Sequence, residues 1–139
     1  MLIDLVAQLP QRSGEEVDRF LSLFSGEFVP SADDFACYFD KSPEPELFDT
    51  YLDAIVFLTS FPTAFGAIYL RNLRAKGLAR HLFVSFAKDG SIFGGASAEE
   101  HDVDEAQQLF RQNFDSNFLV GIECYPPESA ADFKKLLQA

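Results

Sequence analysis

Thiol nucleophiles and imidazole bases are few: Cys37, Cys124, His81 and His101. Nucleophilic catalysis needs Ser or Cys beside a base that takes its proton. Both cysteines sit in apolar runs, Phe35-Ala36-Cys37-Tyr38-Phe39 and Phe118-Leu119-Val120-Gly121-Ile122-Glu123-Cys124-Tyr125, which is the setting of inert core thiols. His81 falls in a β-rich run and reads as a partly buried ring satisfied by a hydrogen bond. With no Cys-x-x-Cys or close Cys/His spacing, two cysteines make neither a disulfide framework nor a zinc site, and they suit a reducing compartment. A hard divalent cation would find oxygen and imidazole donors in Glu99-Glu100-His101-Asp102-Val103-Asp104-Glu105. That run lacks the Gly and terminal Glu of a calcium loop and any His-Glu-x-x-His pair, so its acids are assigned to the first turn of a helix, where they oppose the positive end of the dipole. The expectation is no enzyme, no cofactor and no metal.

Arg74-Ala75-Lys76-Gly77-Leu78-Ala79 matches Arg/Gln-x-x-Gly-x-Gly/Ala, preceded by the apolar Ala67-Ile68-Tyr69-Leu70. Over these roughly fifteen residues the chain resembles the acyl-CoA-dependent N-acetyltransferases, which hold a pyrophosphate on backbone N–H groups at that pattern. The resemblance implies an acyl-CoA enzyme as one alternative function; the other is an acidic regulatory domain without a fixed partner, whose charge serves solubility. Gly77 as the residue that stops a helix accounts for the same letters.

Several elements can be placed from period and capping. A short helix is expected to end at Pro10. Ser13-Gly14-Glu15-Glu16 is a capping box, and Val17, Phe20, Leu21 and Phe24 continue it as a helix over about 14–25. Residues 28–40 lean toward strand. Ser42-Pro43 pairs an N-cap residue with Pro at the first helical position, predicting a helix to Ser60. On its wheel Leu47, Phe48, Tyr51, Leu52, Ala54, Ile55, Val56 and Leu58 share one broad arc, while Glu46, Asp49, Asp53 and Phe57 share the other. Residues 62–76 read as a helix ended by Gly77, with a strand through Gly66–Leu70 as competitor. Asp89-Gly90, between His81–Phe86 and Ser91–Phe93, has the positive-φ preference of a tight hairpin. A helix over about 103–115, a strand over 118–125 and a last helix capped by Ser129 complete the chain. Mixed order with a hairpin indicates an α+β domain, a small antiparallel or mixed sheet covered by helices. At 139 residues and 47% hydrophobic, one globular domain spans 1–139.

Charge is unevenly spread. Twenty-two acids against eleven Lys and Arg leave −11, which opposes nucleic acid and anionic lipid and favours a cationic partner. Residues 1–60 carry twelve acids and three bases, residues 61–95 one acid and five bases, and residues 96–139 nine acids and three bases. The basic island (Arg71, Arg74, Lys76, Arg80 and Lys88) is assigned to a helix C-terminus, where cations interact favourably with the dipole. Sixteen Phe and no Trp predict a Phe-rich core, with some rings left over as contact anchors. The candidate partner-binding residues are Glu46, Asp49, Asp53 and Phe57 on one helix, extended by Asp33, Asp34 and Asp40.

A small, acidic, cysteine-poor α+β chain without catalytic residues is similar in overall character to the bacterial immunity proteins, which share no single motif. The resemblance implies that acidic side chains occlude the active site of a basic toxin. The amino terminus lacks a basic stretch before its apolar residues, and no apolar run approaches the roughly 20 residues of a membrane span. A cytoplasmic protein is expected, of unspecified oligomeric state.

Overall fold

A computed structural model describes residues 1–39, 41–74 and 76–139. The chain is α+β: a six-stranded antiparallel sheet in the order β2-β5-β6-β7-β1-β8, a separate two-stranded sheet β3-β4, and four α-helices. The strands are β1 (Leu2–Gln8), β2 (Phe28–Pro30), β3 (Phe35–Cys37), β4 (Glu46–Phe48), β5 (Gly66–Asn72), β6 (His81–Phe86), β7 (Ile92–Glu99) and β8 (Phe118–Gly121). The helices are α1 (Gly14–Leu21), α2 (Tyr51–Ser60), α3 (Val103–Phe114) and α4 (Ala130–Gln138), with a 3-10 turn over Glu100–Asp102 before α3.

Where caps are explicit the helices begin as expected. Ser13 Oγ accepts the N–H of Glu16 at 3.2 Å, and Ser129 Oγ that of Asp132 at 3.0 Å. The Asp89-Gly90 turn joins β6 to β7, with Gly90 at φ +93°, in the left-handed region that favours glycine.

Four expectations are corrected. The residues before Pro10 are strand β1, which lies between β7 and β8 and is buried on both faces, so its apolar run shows no helical gap. The helix expected from Pro43 starts eight residues later: 46–48 pair with β3, and Thr50 is the N-cap, its Oγ1 accepting the N–H of Asp53 at 3.2 Å. Residues 66–72 are strand, the competitor reading: Ile68 and Leu70 point to the core while Tyr69 and Arg71 are exposed, a period of two. Among the described residues Gly77 therefore ends no helix and the basic island caps none. Among its described residues Arg80 instead donates to the carbonyls of Arg74, Lys76 and Gly77, cross-tying the loop it follows.

Helices α1, α2 and α3 cover one face of the large sheet. Phe20, Phe24, Phe110 and Phe114 pack there against one another, with ring centroids 5.4–6.4 Å apart. On the opposite face Val6, Phe83, Phe93 and Phe133 form a smaller core, with α4 supplying Phe133 5.4 Å from Phe93. Helix α4 leaves Tyr69 and His81 exposed, so the β5–β6 part of that face is open.

Candidate docking site

The two-stranded sheet and α2 form one module. Phe35 stands opposite Phe48 in the β3–β4 register, so Asp33 and Asp34, which lead into β3, lie at the same end as Asp49, which leaves β4. Asp53, in the first turn of α2 four residues on, joins them there. Glu46, opposite Cys37, sits at the other end of the hairpin. All five carboxylates are exposed, and among the described residues none is in an ion pair. Asp40 lies outside the described residues.

Two assignments on α2 change. Phe57 is half-buried, its ring centroid 4.9 Å from Phe61, 5.1 Å from Phe48 and 5.3 Å from Phe39. The chain around it supplies the ring's neighbours, so it is not isolated among acids on the solvent face. Leu52 and Val56, assigned to the apolar arc, are 58% and 63% exposed, and Leu47 on β4 is 62% exposed. The buried stripe of α2 is Ala54, Ile55 and Leu58, narrower than an arc drawn over seventeen residues suggests. The module therefore presents carboxylates interleaved with exposed aliphatic side chains.

Within the module the cation among the described residues is Lys41, exposed in the β3–β4 connection at the Glu46 end. Arg12 is turned inward, donating to the carbonyls of Leu58, Ala87, Phe61 and Ala64 with its guanidinium over the Phe86 ring, and its pKa is lowered by that burial although Asp89 pulls the other way. Arg19 pairs with Glu16, and Arg74 with Glu27 at 3.2 Å.

A second feature was not legible in the sequence. The open part of the sheet beside α4 is a groove of about 610 Å³, its lining including Asp4, Tyr69, His81, Phe83, Glu123 and Tyr125. Its polar row follows the register, His81 opposite Ser97 and Ser97 opposite Asp4, and Arg71, opposite His81, stands just beyond the lining. Ser97 Oγ donates to Asp4 Oδ1 at 2.6 Å, and the Cys124 N–H to Asp4 Oδ2 at 3.1 Å. Tyr69 also lines a second hollow, together with Asp34 and Tyr38 on the acidic module's side. In the sequence its signal is only the alternation along β5 and β6.

The thiols are not activated. Burial pushes the Cys37 pKa up to about 11, and burial with the Asp4 charge raises that of Cys124. Gly77, Leu78, Ala79 and Arg80 lead into strand β6, and among the described residues no helix opens there. Donor atoms of Glu99, His101 and Asp102 lie within 4.8 Å of one another at a surface corner, His101 Nε2 being 3.3 Å from Asp102 Oδ2. Asp102 is the N-cap residue of α3, but its side chain makes no capping hydrogen bond.

No protein-family model matches the chain, and comparison with curated proteins and with solved structures finds no match. Among the described residues no helix is long and apolar enough to cross a membrane.

Proposed function

We propose that the chain is an acidic binding protein that neutralises a basic protein partner, acting as an immunity protein that covers the active site of a cognate bacterial toxin in the cytoplasm. The observation that carries this reading is the β3–β4/α2 module. Asp33, Asp34, Asp49 and Asp53 gather at one end of it, unpaired among the described residues, beside exposed Leu47, Leu52 and Val56. A field of one sign accelerates encounter with an oppositely charged surface, and desolvated aliphatic contacts then slow dissociation. Glu46 extends the charged surface along the hairpin. Phe57 contributes by holding the module rigid rather than by touching the partner, since Phe39, Phe48 and Phe61 surround it.

Co-expression with the protein encoded beside this chain tests the reading. If that protein is basic and toxic, the wild-type chain restores growth and co-purifies with it, and the D49K/D53K variant does neither while keeping its fold. Protection undiminished by the double reversal would overturn it.

A further inference from the structure

We propose that the groove on the open sheet face is a subsite for an arginine or lysine side chain presented by the basic partner. Three aromatic rings and two carboxylates converge there. Phe83 forms the floor, Tyr69 stands 5.9 Å from it with the ring planes inclined by 42°, and Tyr125, 79% exposed, stands at the rim. An aromatic face attracts a cation through its quadrupole, and a guanidinium can stack on one ring while donating to a carboxylate.

The carboxylates are suitably placed. Asp4 is oriented by the Ser97 hydroxyl and the Cys124 N–H, which use two of the roughly four acceptor directions a carboxylate offers, leaving capacity for an incoming donor. Glu123, at the same groove, is exposed and unpaired among the described residues. The lining contains no lysine or arginine, and His81 is its one basic group, with Arg71 opposite His81 on the next strand. Tyr69 is a wall common to the groove and to the hollow lined by Asp34, so a partner seated on the acidic module lies next to the groove.

The subsite rests on the basic-partner reading only for the source of the cation, so the test uses a free probe. The full chain, labelled with ¹⁵N, is titrated with Nα-acetyl-arginine amide and, separately, with the neutral isostere Nα-acetyl-citrulline amide, at about pH 8, above the ordinary imidazole range. Arginine amide is expected to shift the amides of Ser97, Cys124 and Tyr125 saturably, and citrulline amide to leave them in place. Tyr125→Ala and Glu123→Gln, both at exposed positions, should each weaken binding about threefold, the size of one solvent-exposed cation–π or charge contact. Equal shifts from citrulline amide, shifts confined to residues 33–53, or no saturation would each overturn the subsite. Loss of toxin protection in D49K/D53K with the groove titration intact separates the two claims.

Discussion

The ring of Phe83 lies across Gly95, its cross-strand partner: a Cβ built on Gly95 would stand 1.9 Å from Phe83 Cε1. On the other face of the same strand, a Cβ on the neighbouring Gly94 would stand 2.8 Å from Phe20. The Gly94-Gly95 pair thus admits one aromatic ring to each side of the sheet, and Phe83 becomes the groove floor because Gly95 has no side chain.

Gly95→Ala should therefore displace the Phe83 ring and cost about 2–3 kcal/mol, the range of an overpacked core. Gly14→Ala is the control, since nothing lies within 4 Å of a Cβ there. Denaturant unfolding of the two variants compares them. Equal stability would show that Phe83 has another rotamer available.

Arg12 joins the end of α2, the turn after it and Ala87 through hydrogen bonds to four carbonyls. Arg12→Lys keeps a charge but loses the planar fork of donors that reaches them. Stranding partly buried carbonyls costs about 1–3 kcal/mol each, tempered here by water access. Arg12→Lys should lower the melting temperature by several degrees, and Arg12→Ala by more.

Phe57→Ala removes the ring that three others pack against. For a half-buried ring, about 2–3 kcal/mol is expected, below the 3–5 of a fully buried one. Asp53→Lys on the exposed side of the same helix should shift stability by less than about 1 kcal/mol, through the helix dipole alone. Matched thermal melts distinguish the two positions.

Under the proposed function, reversal at Asp49 and Asp53 should slow association with a basic partner and leave dissociation nearly unchanged, because exposed charges act on encounter. Stopped-flow measurement should also show the wild-type association rate falling steeply as salt rises, with a shallower slope in the variant.

Cys37 carries a pH prediction. Its folded-state pKa, raised by burial from 9.0 to about 11, favours the neutral thiol. That contribution is fully present below pH 9, where the unfolded thiol is also neutral, and is lost as pH rises through about 11. Iodoacetamide at about pH 8 should therefore leave Cys37 unmodified in the native protein and alkylate it on unfolding.

Part of this architecture was legible in the chain because it is written in local spacing. Ser13 and Ser129 cap helices where their residue types and neighbours indicate, and Asp89-Gly90 closes a hairpin because the turn needs backbone angles those residues adopt readily. The α+β class followed from the order of such segments. Short apolar runs are less legible: a few apolar residues in a row fit either period, so the helix expected before Pro10 is strand β1, and at β5 the strand competitor through Gly66–Leu70 prevails. Ser42 and Thr50 both carry an oxygen able to cap a helix, and Thr50 is the N-cap because it follows the end of β4.

The candidate site divides in the same way. Sequence alone determined that acids outnumber bases and that Asp33, Asp34, Glu46, Asp49 and Asp53 belong to one stretch of the chain. Tertiary structure decided that Phe57 turns inward, that Leu47, Leu52 and Val56 face out, and that Asp4, Tyr69, His81, Ser97 and Tyr125 share a groove. The reason is physical. A cap or a tight turn is satisfied by neighbours a few residues away, whereas the side of a strand or helix that meets water is set by what packs against it, here from residues up to 120 positions apart in the chain.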